Sequence, residues 1–305
     1  MYTKSMSGES EPTARVIPPQ PPAPEVIPYA ATGTHVRTYA VKDASHNYGI
    51  AVTQDGSRLA VSNDRTHMIT VYDTVSGEET ATFGGNGAGP GKFSNPFKLC
   101  ITPRDSLLVA EHGNQRVQEV TMAGVHIRYI GAGVFGDGVH GIACNGDHIV
   151  VTKYGCFTPN RVLVFNYSTG ELLRQFVAHG SGDGHIGQLS TGVRFTPDNQ
   201  HIIVVDMSNR RLSMFTVSGV FVKHIGVGVL GGGWCDVDFT ADGRIIVADW
   251  GSCRVCIFAA DGAMTSSWGK QGTSNGKFKN PTALAVSGDK LFVLDDFSAR
   301  VQVFD

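Results

Sequence analysis

The 305-residue chain lacks any apolar run of the length, about 18 residues, that a membrane-crossing helix needs, and its N-terminus lacks a charged segment followed by an apolar one. The expectation is a cytoplasmic protein with no membrane partner. An excess of charge is missing too. The 25 Lys and Arg against 27 Asp and Glu leave a net charge of −2, which argues against a surface built throughout for nucleic acid or anionic lipid. Cysteine is scarce and irregularly placed: of residues 100, 144, 156, 235, 253 and 256, only Cys253 and Cys256 form a C-x-x-C pair, with no second pair to complete a zinc site. Several lie in apolar runs such as KLCIT and GIACN and read as buried, reduced thiols.

Glycine, by contrast, is plentiful. Thirty-eight glycines suit a fold full of tight turns rather than long helices. Residues 1–33 differ from the remainder: PTARVIPPQPPAPEVIP is proline-rich and offers little to a core, so it reads as a disordered leader. Arg15, Pro18 and Pro21 fit a basic-x-x-P-x-x-P pattern that aromatic grooves can read. Such matches are frequent by chance in any proline-rich tail, and a plain linker is the expectation.

From residue 34 the chain is periodic, and a repeat decides the fold before anything else does. Six apolar segments align: SRLAVSN, SLLVAEH, DHIVVTK, QHIIVVD, GRIIVAD and DKLFVLD. Their equivalent valines, Val61, Val109, Val151, Val204, Val247 and Val293, lie 48, 42, 53, 43 and 46 residues apart. Each segment follows a hairpin signal such as TQDGS or TADGR, and five copies carry a second turn such as TVSGE or AADGA. Six copies of an all-strand unit at this period predict a six-bladed β-propeller of four-stranded antiparallel blades spanning 34–305. The sixth copy stops at Asp305, after its third strand, while Thr34–Val41 resembles a fourth strand with no blade before it. Pairing Thr34–Val41 with Arg300–Phe304 would close the ring and remove its open edges.

The unit in GKFKNPTALAV and GDKLFVLDDFSARVQVF resembles the NHL repeat, most strongly in the second, fifth and sixth copies. That resemblance also implies a six-bladed propeller. The repeat's acid–arginine pair falls on Glu111/Arg116, Asp206/Arg211, Asp249/Arg254 and Asp295/Arg300, always five residues apart. A catalytic constellation is needed once; four copies read as structural clamps. Glycine-rich GGNGAGPGK (84–92) fails the P-loop spacing and reads as an inter-blade turn.

Residues leading into the first strands should ring the channel mouth: Tyr48, Phe97, His140, Thr191, Cys235 and Thr282. Some NHL-like propellers are amidating lyases whose zinc-binding histidines stand in a similar context, but the ring offers one histidine, so no metal site, cofactor or catalytic residue is expected. Some NHL domains bind single-stranded RNA on a basic rim. Lys92, Lys98, Lys270, Lys277 and Lys279 fall near the rim loops, with Tyr48, Phe97 and Trp234 as stacking residues. The reading the sequence favours is a non-catalytic scaffold that recognises a protein or peptide partner; RNA binding and a metal-dependent lyase or hydrolase are the alternatives. Blade three departs most from the repeat: Lys153 replaces the acid, and Tyr154–Asn160 is an insertion beside His140. Specificity is expected there and on the neighbouring rim aromatics. NHL propellers often follow RING and B-box modules in ubiquitin ligases, but residues 1–33 hold no cysteine with which to build them.

Overall fold

A strand whose consecutive residues are all apolar must be covered on both faces, because successive side chains point to opposite sides. The computed structural model describes residues 33–305 except 44, 137, 155–159 and 188–189, and it shows how that cover is supplied. Leu107 and Val109 pack against Ile69 and Phe93 on one side, while Leu108 and Ala110 pack against Ile142 and Ile149 on the other. Six such apolar layers separate six sheets.

Blade one comprises Asn47–Val52, Arg58–Asn63, Met68–Asp73 and Glu79–Gly84, and blade two Pro96–Ile101, Leu107–Glu111, Arg116–Val120 and His126–Ile130. Blade three is Gly138–Cys144, His148–Tyr154, Arg161–Asn166 and Leu172–Phe176; blade four is Ser190–Phe195, His201–Asp206, Arg211–Thr216 and Phe221–Ile225. Blade five is Asp236–Phe239, Ile245–Asp249, Arg254–Phe258 and Met264–Trp268. Blade six takes Pro281–Ser287, Lys290–Asp295 and Arg300–Phe304, and borrows His35–Ala40 as its outer strand. His35 pairs with Phe304 and Ala40 with Arg300, antiparallel, as the truncated sixth copy requires. First strands adjoin in the order one to six and back to one, so the ring closes. The chain is therefore a six-bladed propeller. No helix of the described residues is long and apolar enough to cross a membrane. The proline-rich leader and residues 155–159 of the blade-three insertion lie outside the described residues.

The four acid–arginine pairs meet where second strands end and third strands begin, at separations of 2.6 Å (Glu111–Arg116), 3.0 Å (Asp206–Arg211), 3.1 Å (Asp249–Arg254) and 3.0 Å (Asp295–Arg300). All four carboxylates are fully buried. Each pair also grips the loop that enters its blade. Arg116 donates to Ala88 O at 2.8 Å, Arg254 to Val229 O at 2.7 Å and Arg300 to Lys277 O at 2.7 Å, while the N–H groups of Ser94, Gly187, Gly231 and Lys279 donate to the carboxylates. In blade three Lys153 Nζ donates to Phe135 O at 2.8 Å, reaching the corresponding loop.

Candidate functional site at the channel mouth

Propeller blades lean inward, so first strands crowd at the axis and small residues are needed where they touch. A Cβ on Gly49 would sit 2.2 Å from Phe97 O, and one on Gly141 2.4 Å from Thr191 O. At this level the first strands of blades one to four and six slip register against their second strands. Such bulges re-aim side chains, and Tyr48, Phe97 and His140 lie at them.

Five of the nine predicted rim residues gather there. Tyr48 stacks on Phe97 with ring centroids 4.5 Å apart, Phe97 on His140 at 4.6 Å, and His140 on Tyr154 at 5.3 Å. Trp234, from the lead-in to blade five, crosses the axis and tilts over Tyr48, Phe97 and His140 at 5.6, 5.4 and 5.7 Å. Together with Asp64, Asn95 and His112 these rings line a cavity of about 240 Å³. The other four do not reach it. Thr191 Oγ1 donates to Cys235 O at 2.7 Å and Thr282 Oγ1 to Asn47 O at 3.1 Å, both buried between first strands. Cys235 is buried and its thiol is pushed up to about 12 by burial. Lys153 is buried as well.

Beneath the aromatic layer lies a buried ion pair. Lys98, expected among rim lysines, is 3% exposed; it spans the channel from blade two to Asp236 of blade five at 2.9 Å and donates to Thr282 O at 2.9 Å. The bulge explains the difference, because residues 97 and 98 both turn toward the axis. Asp236 is fully buried. Burial pulls the Lys98 ammonium below its ordinary range and the Asp236 carboxylate opposes that pull. At the far end of the channel, Arg194 and Asp238, 3.5 Å apart, stand in a second cavity of about 380 Å³ with Cys100, Gln54 and Ser287.

Three mouth residues were not anticipated: Asp64, Asn95 and His112. Asp64 and His112 directly follow the last residue of their second strands, in the register that also supplies Tyr154, Trp250 and Asp296. That register forms a second ring just outside the first, and reading it down the six copies would have found them. His140 Nε2 and His112 Nδ1 lie 3.1 Å apart and share a proton. His140 Nδ1 is buried with no hydrogen-bond partner. His46 Nδ1 approaches Asp64 Oδ1 to 3.1 Å, an ion-pair distance. Burial raises the Asp64 carboxyl above its usual range, and burial with the nearby Asp64 and Asp296 carboxylates lifts the Tyr48 phenol to about 12.

Burial, aided by His112 and Lys98, depresses His140 to about 3. Between that value and about 6.5 the folded chain binds fewer protons here than the unfolded chain, so stability rises with pH in that window. Acidification from neutral pH should cost about 1.4 kcal/mol per pH unit from this residue once below its unfolded pKa. His140→Phe keeps a stacking ring and should remove that component. Urea midpoints of both proteins at pH 7 and pH 5 check this; an unchanged pH dependence in the variant would contradict it.

Among the described residues, no three His, Cys, Asp or Glu side chains converge to hold a metal ion. No protein-family model and no curated protein matches the chain. Solved structures do. Hydrazine synthase of Kuenenia stuttgartiensis aligns over 90% of this chain and 98% of its own, with a TM-score of 0.62 at 17% identity. A catalytically inactive histidine variant of virginiamycin B lyase from Staphylococcus aureus with quinupristin aligns over 85% of this chain and 81% of its own, with a TM-score of 0.59 at 16% identity. At those identities the likeness is one of fold.

Proposed function

We propose that this chain is a non-catalytic binding propeller of the NHL-repeat type, and that the Tyr48–Trp234 mouth seats a side chain of a protein or peptide partner. The observation that carries the reading is the concave cavity itself, walled by rings from three adjacent blades and roofed by a tryptophan from the opposite side. Buried aromatics around a small pocket are what interface hot spots are made of. Blade three supplies His140 and Tyr154 to it, which is where its departure from the repeat would matter. The alternatives draw less support from the same geometry. Base stacking needs free ring faces, but Tyr48, Phe97 and His140 are stacked on one another and Phe97 is 5% exposed. General-base chemistry works best with a pKa near the working pH, and His140 is held far below it.

Selection of random displayed peptides against the 305-residue protein tests the reading. Selected peptides should lose roughly tenfold or more in affinity on Trp234→Ala or Tyr154→Ala, as expected for aromatic anchors. Peptides that bind both variants as well as the parent would place recognition elsewhere and defeat the proposal.

A further inference from the structure

The mouth cavity, about 240 Å³, has a carboxylate and a buried imidazole in its walls, those of Asp64 and His140. Asp64 Oδ1 faces His46 Nδ1 at 3.1 Å, but the Asp64 side chain is 20% exposed and its carboxylate keeps acceptor sites for a ligand's donors, while His140 Nδ1 is buried without a hydrogen-bond partner. A hydrogen bond to a carboxylate is among the stronger ones a ligand can make. Among the described residues Asp64 is the only carboxylate lining the pocket, and the Asp296 carboxylate is near enough to Tyr48 to act, with Asp64, on its phenol. Asp296 is occupied with the N–H groups of His46 and Asn47, at 3.2 and 2.8 Å, so its charge acts at the mouth without competing for a ligand's donors. The buried ammonium of Lys98 is already matched by Asp236. The walls are the rings of Tyr48, Phe97, Tyr154 and Trp234.

A ligand that satisfies this set carries positive charge, several N–H donors in fixed directions, and a flat face that aromatic rings accept. An ammonium provides the charge as a compact, strongly hydrated point, whereas a guanidinium provides the plane and five donors and sheds water more readily. We infer that the mouth is a guanidinium site: an arginine side chain of the partner enters beside Trp234 and donates to the Asp64 carboxylate. This rests on the proposed function for the site, and it names the chemistry of the partner residue.

The probes are acetyl-Gly-Gly-Arg-Gly-Gly-amide and its citrulline and lysine counterparts, titrated into the full chain while the assigned indole N–H resonance of Trp234 is followed. Citrulline matches arginine in shape but has no charge, so the comparison requires no altered protein. The arginine peptide should bind roughly ten- to a hundredfold more tightly than the citrulline peptide, the range of a charge-assisted contact, and more tightly than the lysine peptide. Asp64→Asn, which preserves the shape of the wall, should reduce arginine binding about tenfold or more and leave citrulline binding unchanged. Equal binding of arginine and citrulline would overturn the inference, as would equal binding of lysine, or a Trp234 signal that moves with none of them. If displayed peptides lose affinity on Trp234→Ala yet carry no arginine, the binding reading stands and the guanidinium assignment falls. If the arginine peptide binds as described while displayed peptides ignore Trp234→Ala, the assignment stands and the wider reading falls.

Discussion

Removal of residues 1–41 should cost the propeller its cooperative unfolding and leave an aggregation-prone open ring, whereas removal of residues 1–32 should leave the transition where it is. The strand His35–Ala40 joins the two ends of the circle. It pairs with Arg300–Phe304 of the last blade, and its side chains reach into the first. Tyr39 and Val41 are buried in the layer between blades six and one, with Ile50, Leu59 and Leu294. Tyr39 Oη donates to Thr74 O, Arg37 donates to the same carbonyl at 3.3 Å, and the Lys42 N–H donates to Tyr72 Oη at 2.9 Å. Burial of two such side chains is worth roughly 1.5–3 kcal/mol each, before the strand ladder is added. That sum approaches the ~5–15 kcal/mol by which domains are stable at all, and the exposed third strand of blade six would offer a pairing edge. Urea unfolding with size-exclusion chromatography reads the effect; a 42–305 fragment that stays monomeric and unfolds at the full-length midpoint would contradict it.

Asp236→Ala should destabilise the protein by about 3–5 kcal/mol, because it leaves the Lys98 ammonium buried in the channel without its partner. For a domain of this size that is a fall in Tm of roughly 6–20 °C. Replacing both residues, as Lys98→Met with Asp236→Leu, should recover most of the loss, since a buried ion pair and a well-packed apolar pair often come out nearly even. Arg116→Ala belongs to the same class of change: it strands the buried Glu111 carboxylate and also releases Ala88 O. Melting curves of the single and double channel variants decide the matter. A single variant as stable as the parent would mean that Lys98 finds other compensation, and a double variant no better than the single would mean that the channel cannot accept apolar packing.

The blade count and the closing strand were legible because they rest on periodicity. SLLVAE and KLFVLD are apolar at every position, which only a sheet covered on both faces can satisfy, and the copies repeat often enough to be counted. The acid–arginine pairs were legible for the same reason. Their reach was not: sequence spacing brings Arg116 to Glu111, but only the folded chain brings Ala88 to Arg116. The mouth was half legible. First-strand alignment brings out Tyr48, Phe97 and His140, whose rings line the mouth cavity, but gives Thr191, Cys235 and Thr282 equal standing, although these do not line it. It cannot reveal that a bulge turns two successive residues inward, which is why Lys98 looked like a surface lysine. Nor does alignment show that Trp234 crosses the axis to residues of blades one, two and three, a contact set by the shape of the closed ring.

Recognition at the Trp234 end of the channel can be tested directly against the far end. The most direct measurement is chemical-shift mapping of the full chain with a selected peptide, comparing the two ends. The indole resonance of Trp234 and the ring resonances of His112 and His140 should shift with saturating peptide, while Gln54, Ser287 and Gly288 at the far cavity should not. Shifts confined to the far end, with the Trp234 cluster silent, would contradict it.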